Sequence, residues 1–292
     1  MPSTRVRPFH RSDRQHLTRL VNAHVATILP GAQLSTQRIL AQLEAEPEEI
    51  ITERWVDDHT CLVAEADGRP VGAVLLVHHA QAPDTSESLR GLGCLRWLLG
   101  EPDRPEALDD LLAAAAAWAR ALGSPALAFD GVLPVPGCFG LPDSWPHVAR
   151  ALDRAGFDDG FDDLHTLAAT PRRAAEVPVA RRSVGHCGTR FTLTDAEGDA
   201  GYIEIESDDA DRSAYPGSGR HVVIGNLHTR DEDADGIRAA LLDVAGDWCA
   251  RAGATQLMVD VPTDQESTIP WWLAHGFARV GSCRRGRRLL LG

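Results

Sequence analysis

Residues 111–130 read LLAAAAAWARALGSPALAFD, and residues 241–260 read LLDVAGDWCARAGATQLMVD. Leu111, Leu112, Ala115, Trp118, Gly123, Leu127 and Asp130 return 130 positions later as Leu241, Leu242, Ala245, Trp248, Gly253, Leu257 and Asp260. In both stretches apolar residues recur at helical spacing, a glycine ends the helix, and a short apolar run closing on aspartate reads as a buried strand. Upstream, Asp67-Gly68-Arg69-Pro70-Val71-Gly72 corresponds to Glu197-Gly198-Asp199-Ala200-Gly201, one residue shorter. Downstream, Ala155-Gly156-Phe157 corresponds to His275-Gly276-Phe277, only 120 residues on, so the first copy carries about ten extra residues between strand and last helix. A period this long marks duplicated domains, because solenoid repeats run roughly 20–50 residues.

The 292 residues suffice for two domains with cores of their own. The first, 1–170, opens with a strand at Arg5–Phe9 and a helix capped by Ser12-Asp13 with Leu17, Leu20 and Val21 on one face. A helix Thr36–Glu44, a hairpin turning at Asp67-Gly68, a strand Leu95–Leu99 and the helix Glu106–Leu122 follow. The strand Ala126–Asp130, a Pro/Gly-rich loop, the helix Trp145–Ala155 and the strand Leu164–Ala169 complete it. Pro171–Pro178 is the expected linker. The second domain, 179–292, repeats the order from the hairpin onward, with an acidic Gly/Ser-rich loop at Ser207–Gly219. It has no room for copies of the first two helices, so its front face is open or borrowed.

A net charge of −13 argues against a nucleic-acid-binding module, which needs a basic face. No run of about 18 apolar residues spans a membrane, and the start lacks a secretory apolar stretch, so a cytoplasmic location is expected. The six cysteines, Cys61, Cys94, Cys138, Cys187, Cys249 and Cys283, lack Cys-x-x-Cys spacing and read as reduced thiols; no metal site is expected. Every basic charge is arginine, for the chain contains no lysine; codon bias is the plain explanation.

The order strand–helix–helix–hairpin–strand–helix–strand–helix, ending in Gly-Phe and a strand, resembles the GNAT superfamily of acyl-CoA-dependent N-acyltransferases. The resemblance covers nearly the whole chain as a tandem pair, and implies an α/β fold (an α+β mixed sheet, splayed in the middle). The second of the two GNAT-like domains lacks the first two helices. The best-matching segment is Ile224-Gly225-Asn226-Leu227-His228-Thr229, a six-residue loop, then Gly236-Ile237-Arg238-Ala239-Ala240-Leu241-Leu242. In the family such a strand ends at the acyl-CoA, whose pyrophosphate is wrapped by the following loop. Free N–H groups at a helix N-terminus form an anion site. The resemblance thus implies acetyl-CoA as co-substrate, bound at Leu227, Thr229, Gly236, Ile237, Arg238 and Ala239.

The family's Arg/Gln-x-x-Gly-x-Gly/Ala pattern is met imperfectly, with Asp233 and Arg238 at its first and last positions and Asp231, Glu232 and Asp235 nearby. The first domain's loop, Gly100–Glu106, holds Pro102 and Pro105, which lack N–H donors. The second half is therefore expected to bind acyl-CoA and the first to serve as scaffold and substrate wall.

The tyrosine that protonates the leaving thiolate in many family members is replaced by Leu152 and Trp272. His228 and Glu204 are the expected catalytic bases. Glu206, which shares a strand face with Glu204, and Asp260 are weighed beside them, and Asp130 and Asp260 read more readily as a shared strand-end feature. Cys94 and Cys138 lack a partner placed by sequence. The Gly131–Pro142 loop reads as a pocket roof or interdomain glue, and Arg284-Arg285-Gly286-Arg287-Arg288 as a solvated strand end or a contact for an acidic partner or CoA phosphate. The implied reaction moves an acetyl group to an amine of a small molecule or peptide, in a monomer or homodimer. The alternative is a non-catalytic acyl-CoA-binding protein; different acyl chemistry on the same fold is a third reading.

Overall fold

The computed structural model describes residues 4–30, 32–44, 55–133, 139–160, 162–186, 188–206, 220–231 and 234–292. The Ser207–Gly219 loop, Cys138, Cys187, Glu232 and Asp233 lie outside the described residues. Two compact units form, Met1–Asp163 with Ser282–Gly292, and Leu164–Gly281.

The first unit is a six-stranded sheet: β1 (Arg5–Pro8), β2 (Val56–Ala66), β3 (Arg69–His79), β4 (Gly93–Gly100), β5 (Ala126–Phe129) and, from the chain end, the last strand, Arg288–Leu290. Every pairing is antiparallel except β4 with β5. Helices α1 (Arg14–Ile28) and α2 (Thr36–Glu44) stand between β1 and β2 in the chain, α3 (Pro105–Ala121) joins β4 to β5, and α4 (Pro146–Ala155) follows a short strand β6 (Leu141–Pro142). The hairpin signal is met, with Asp67 and Gly68 at φ 52° and 75°, as a primed turn requires. In α3 the residues Ala107, Leu108, Leu111, Leu112, Ala115, Ala116 and Ala119 are buried, the stripe that helical spacing sets.

The second unit repeats this plan. β7 (Asp162–Ala169) lies beside β12 (Ala254–Pro262), then come β11 (Arg220–Thr229), β10 (Gly198–Glu206), β9 (Thr189–Asp195) and β8 (Arg181–Val184). Again one pairing within this run, β11 with β12, is parallel. Helix α5 (Asp235–Arg251) joins those two strands, and α6 (Ile269–Ala274) precedes β13 (Ala278–Arg285) and β14 (Arg288–Leu290), the strand already met in the first unit. Where α1 and α2 separate β1 from β2, only residues 185–188 separate β8 from β9. That stretch is too short for counterparts of the two helices. The core lies between α5, α6 and one sheet face, with Phe191, Ile203, Ile205, Leu241, Ala245 and Val259 at its centre.

Two features depart from the sequence reading. The boundaries 1–170 and 179–292 do not match the compact units, because β7 belongs to the second sheet from Leu164 onward and β14 closes the first. Alternation identifies a strand but not its sheet. The Arg284–Arg288 cluster is not a free basic patch. Arg284 pairs with Asp163 at 2.8 Å, and Arg287, 4% exposed, donates to Asp153 and to the carbonyls of Phe157 and Asp158. These bonds fasten the chain end to the first unit.

Candidate functional site

The site of interest begins with a break in strand pairing. On β10 and β11, Glu204 faces Asn226 but Ile205 faces Ile224, so Gly225 is an extra residue, a β-bulge. On the other side, β11 pairs with β12 only as far as Ile224 with Val259. From Gly225 to Thr229, β11 has β10 as its strand neighbour, while Asp260–Pro262 of β12 pair with β7. The two parallel strands fork after Ile224 and Val259. Among the described residues, the side of β11 that had faced β12 then carries strand backbone with no strand against it, an open ladder edge.

Asp260 is the first residue of β12 beyond the fork. Its carboxylate accepts a hydrogen bond from Thr166 Oγ1 at 2.7 Å. Burial pushes its pKa up to about 6, with the Thr166 bond acting against the rise. Register places Glu204, Asn226, Asp260 and Thr166 on one row of the face turned away from α5, with Tyr202 and His228 paired one row further. Asn226 and His228 are exposed, and the His228 ring lies 5.3 Å from that of Tyr202. Glu206 shares the face and is half-buried; burial, and then Asp260, push its pKa up.

Glu204 is not available as a base. It is fully buried, bound to Arg190 at 2.5 Å, and accepts from the His186 N–H at 3.1 Å. A carboxylate held this way cannot take a substrate proton without breaking its ion pair. Sequence alternation placed it on the right face but could not show that Arg190 claims it. Asp260, read from its repeat partner Asp130 as a strand-end feature, is the carboxyl the fork singles out.

The N-terminus of α5 begins beyond the end of β11. Ile237 and Arg238 both donate their N–H groups to Ala234 O at 3.0 Å, which engages two of the expected anion donors within the first turn of the helix; Ala239 lies a full turn in. Asp235 and Gly236 have no acceptor for their N–H groups among the described residues. A Cβ on Gly236 would meet nothing within 4 Å, which leaves room for a ligand to approach the backbone. Arg238 is paired with Asp235 at 3.4 Å. Beneath the helix start, Gly201 is required by crowding, since a Cβ there would come within 2.7 Å of His228 O. Thr229 is buried, its hydroxyl donating to Asp231 O, and Leu227 is partly buried against the core.

No protein-family model matches the sequence, and no curated protein matches it. Solved structures do. A tandem GNAT protein from the clavulanic acid biosynthesis pathway superposes over 99% of both chains with TM-score 0.68 at 16% identity. The chain has a tandem GNAT fold. A GCN5-related N-acetyltransferase from Sphaerobacter thermophilus aligns over 99% of this chain and 96% of its own, with TM-score 0.63 and 14% identity. A glucosamine N-acetyltransferase region of a fungal multi-domain β-N-acetylglucosaminidase aligns over 98% of this chain and 38% of its own, with TM-score 0.61 and 14% identity.

The first GNAT unit contains the same fork. Leu75 faces Trp97 and Leu76 faces Leu95, so Arg96 is the bulge residue, and parallel pairing ends at Leu95 with Phe129. Arg96 stands 129 positions before Gly225, as Gly72 does before Gly201. Here the fork is bridged: Arg96 pairs with Asp130 at 3.3 Å. At the end of β4 the Gly100 N–H points at His24 Nε2, and His24 meets His147 at 3.1 Å and the Trp145 ring edge-on. Burial lowers the His24 pKa to about 4, which keeps this imidazole neutral. The loop before α3 is tied down by Arg69–Glu101 and Arg104–Asp67 pairs.

The GNAT positions for a last-helix acid are apolar in both units. Leu152 is fully buried and Trp272 is 6% exposed, its ring edge-on to Phe277. Cys94 is no nucleophile, as burial pushes its thiol up to about 12. Among the described residues no group of three or more His, Cys, Asp or Glu side chains is placed to hold a metal ion, and no helix is long and apolar enough to cross a membrane.

Proposed function

We propose that the second unit moves an acyl group from acyl-CoA, with acetyl-CoA the donor the fold favours, to an amine. The single observation that carries this reading is the Asp260 carboxyl at the vertex of an open fork, its pKa raised to about 6. A thioester-bearing chain laid along the free edge of β11 would find ladder N–H and C=O groups there. Its phosphates would lie near the Asp235 and Gly236 N–H groups, in the positive end of the α5 dipole. Acidic Asp231 and Asp235 oppose that binding.

In this mechanism Asp260, ionised above about pH 6, takes a proton from the acceptor's ammonium group. The amine lone pair then attacks the thioester carbonyl, the C–N bond forms, the C–S bond breaks, and the thiolate takes the second amine proton. No last-helix acid is needed, because a thiol with pKa about 8.5 is a tolerable leaving group. His228, exposed beside Tyr202, would line the acceptor side. The test is acetyl-CoA consumption in the presence of an amine panel: turnover that falls by about 10²–10⁴ in Asp260→Asn supports the reading, and unchanged turnover removes it.

A second reading is favoured by the buried Leu152 and Trp272, namely a GNAT fold that binds acyl-CoA without transferring the acyl group. It predicts tight acetyl-CoA binding and no amine acetylated across the panel.

A further inference from the structure

The edge of the second sheet carries an exposed basic segment in an acidic chain. β8 is the last strand of its sheet, with β9 on one side and no strand on the other among the described residues. All four of its residues, Arg181–Val184, are exposed. Val184 is 92% exposed and Val179, two residues before the strand, 97%, while Val177 and Ala180 pack against the core and hold the segment in place. Arg181 pairs with Asp199 at the surface, and Arg182 lies over the Trp248 ring at 5.7 Å. Arg182, with Arg172 and Arg173 upstream, has no carboxylate partner among the described residues, although the chain carries a net charge of −13. The edge strand of the first unit is neutralised instead. On β1, Arg7 is held by both Asp13 and Glu65 at 2.7 Å, and Pro8 has no N–H to offer.

The hairpin that joins β8 to β9 fixes which backbone groups turn outward. Gly185 donates its N–H to Gly188 O at 2.7 Å, so these two residues form a hydrogen-bonded pair. Antiparallel pairs alternate between bonded and non-bonded. Ser183 with Arg190 and Arg181 with Thr192 are therefore bonded, whereas Arg182 and Val184, opposite Phe191 and Thr189, turn N–H and C=O away from β9. These outward groups are a template on which another strand can pair.

We propose that the β8 edge is a docking strand for an acidic, extended segment of a partner protein, which adds to the sheet antiparallel to β8. Backbone bonds to Arg182 and Val184 supply affinity, and the side chains opposite supply selectivity. Acidic residues face Arg181 and Arg182, and apolar residues face Val179 and Val184. Read along the partner, the pattern is apolar, any, acidic, acidic, any, apolar. Arg172 and Arg173 extend the positive field that steers such a segment in. Two copies of this chain would instead crowd the paired arginines of each β8 at one junction, which like charge opposes. A nucleic acid has no peptide backbone to pair with the edge. The proposal stands apart from acyl transfer, since none of these residues lies at the fork.

Fluorescence anisotropy tests this with the full-length protein and a labelled peptide, acetyl-Thr-Val-Thr-Glu-Glu-Thr-Val-Thr-amide, beside a version with lysine in place of both glutamates. The glutamate peptide is expected to bind, more weakly as salt rises, and the lysine peptide to stay free. Arg182→Glu should weaken binding about five-fold, the upper scale of one exposed ion pair. Val184→Pro removes one outward N–H without changing charge or the bonds to β9. It should weaken binding about two- to ten-fold, the scale of one hydrogen bond. Thermal melts check the fold of each variant. Should Val184→Pro melt early, amide exchange in wild type decides instead, with the Arg182 and Val184 N–H groups protected by the peptide. No binding of the glutamate peptide, equal binding of the lysine peptide, or undiminished binding by a folded Val184→Pro would overturn the proposal. So would a short oligothymidylate bound as tightly as the peptide. A dimer in sedimentation that Val184→Pro dissolves would also overturn it, assigning the edge to a second copy.

Discussion

The two forks share one backbone and differ in what stands at their vertices. In the first unit the bulge residue is Arg96, and its guanidinium reaches Asp130 across the gap. In the second the bulge residue is Gly225, which has no side chain, and the matching Asp260 is left with a threonine hydroxyl. Further along, imidazoles of His24 and His147 meet at the end of β4, whereas the last residues of β11 include the exposed His228. A duplicated scaffold has thus kept its splay twice. The neighbouring side chains close it in one unit and leave it open in the other.

The largest effect should come from the open fork. Asp260→Asn is expected to lower turnover by about 10²–10⁴ and to remove the acid limb near pH 6 from the rate profile. The same change should stabilise the fold. A carboxyl whose pKa is raised on folding binds more protons in the native state, so stability declines as pH rises from about 4 to about 6. Above that window the ionised, buried Asp260 costs up to about 3 kcal/mol, since each pKa unit is worth about 1.4 kcal/mol. Denaturant melts of Asp260→Asn should therefore exceed wild type in stability at pH 7.5 and approach it at pH 4. Asp130→Asn in the bridged fork should leave turnover unchanged, and a comparable loss there would erase the distinction between the units.

The exchange of strands comes next. Arg287→Ala removes a buried guanidinium from Asp153 and two carbonyls, and should cost about 3 kcal/mol by thermal melting. A near-neutral result would mean that β14 does not hold the first unit together. Glu204→Gln should cost about 2 kcal/mol through its broken Arg190 pair while leaving acetyl-CoA affinity intact. The smallest effect belongs to Gly236→Asp, which places a charge at the α5 N-terminus without a clash. Affinity should fall about two- to five-fold, the scale of one charge near a helix dipole, and any gain in affinity would move the phosphate site elsewhere.

The repeat, the helices and the absence of two of them in the second unit were legible in the sequence because each is local. Helical spacing marks α3 and α5, and the shortage of residues between β8 and β9 excludes α1- and α2-like elements. The exchange of β7 and β14 was not legible, since a strand's alternation carries no record of its neighbour. Gly225 was quoted within the motif, but its bulge shows only in the register. How Glu204 and Asp260 are engaged was not legible for one reason. Arg190 lies 14 residues from Glu204 and Thr166 lies 94 from Asp260, and such distant partners decide which carboxyl is already engaged.

The central claim is that one fork accepts acyl-CoA and the other is closed by its own side chains. Calorimetric titration of the full chain with acetyl-CoA tests it most directly, beside the variant Gly225→Arg that copies Arg96 into the open fork. The expected result is one equivalent bound by wild type and none by Gly225→Arg, with Arg96→Gly leaving wild-type binding intact. Two equivalents in wild type, or undiminished binding in Gly225→Arg, would contradict the account.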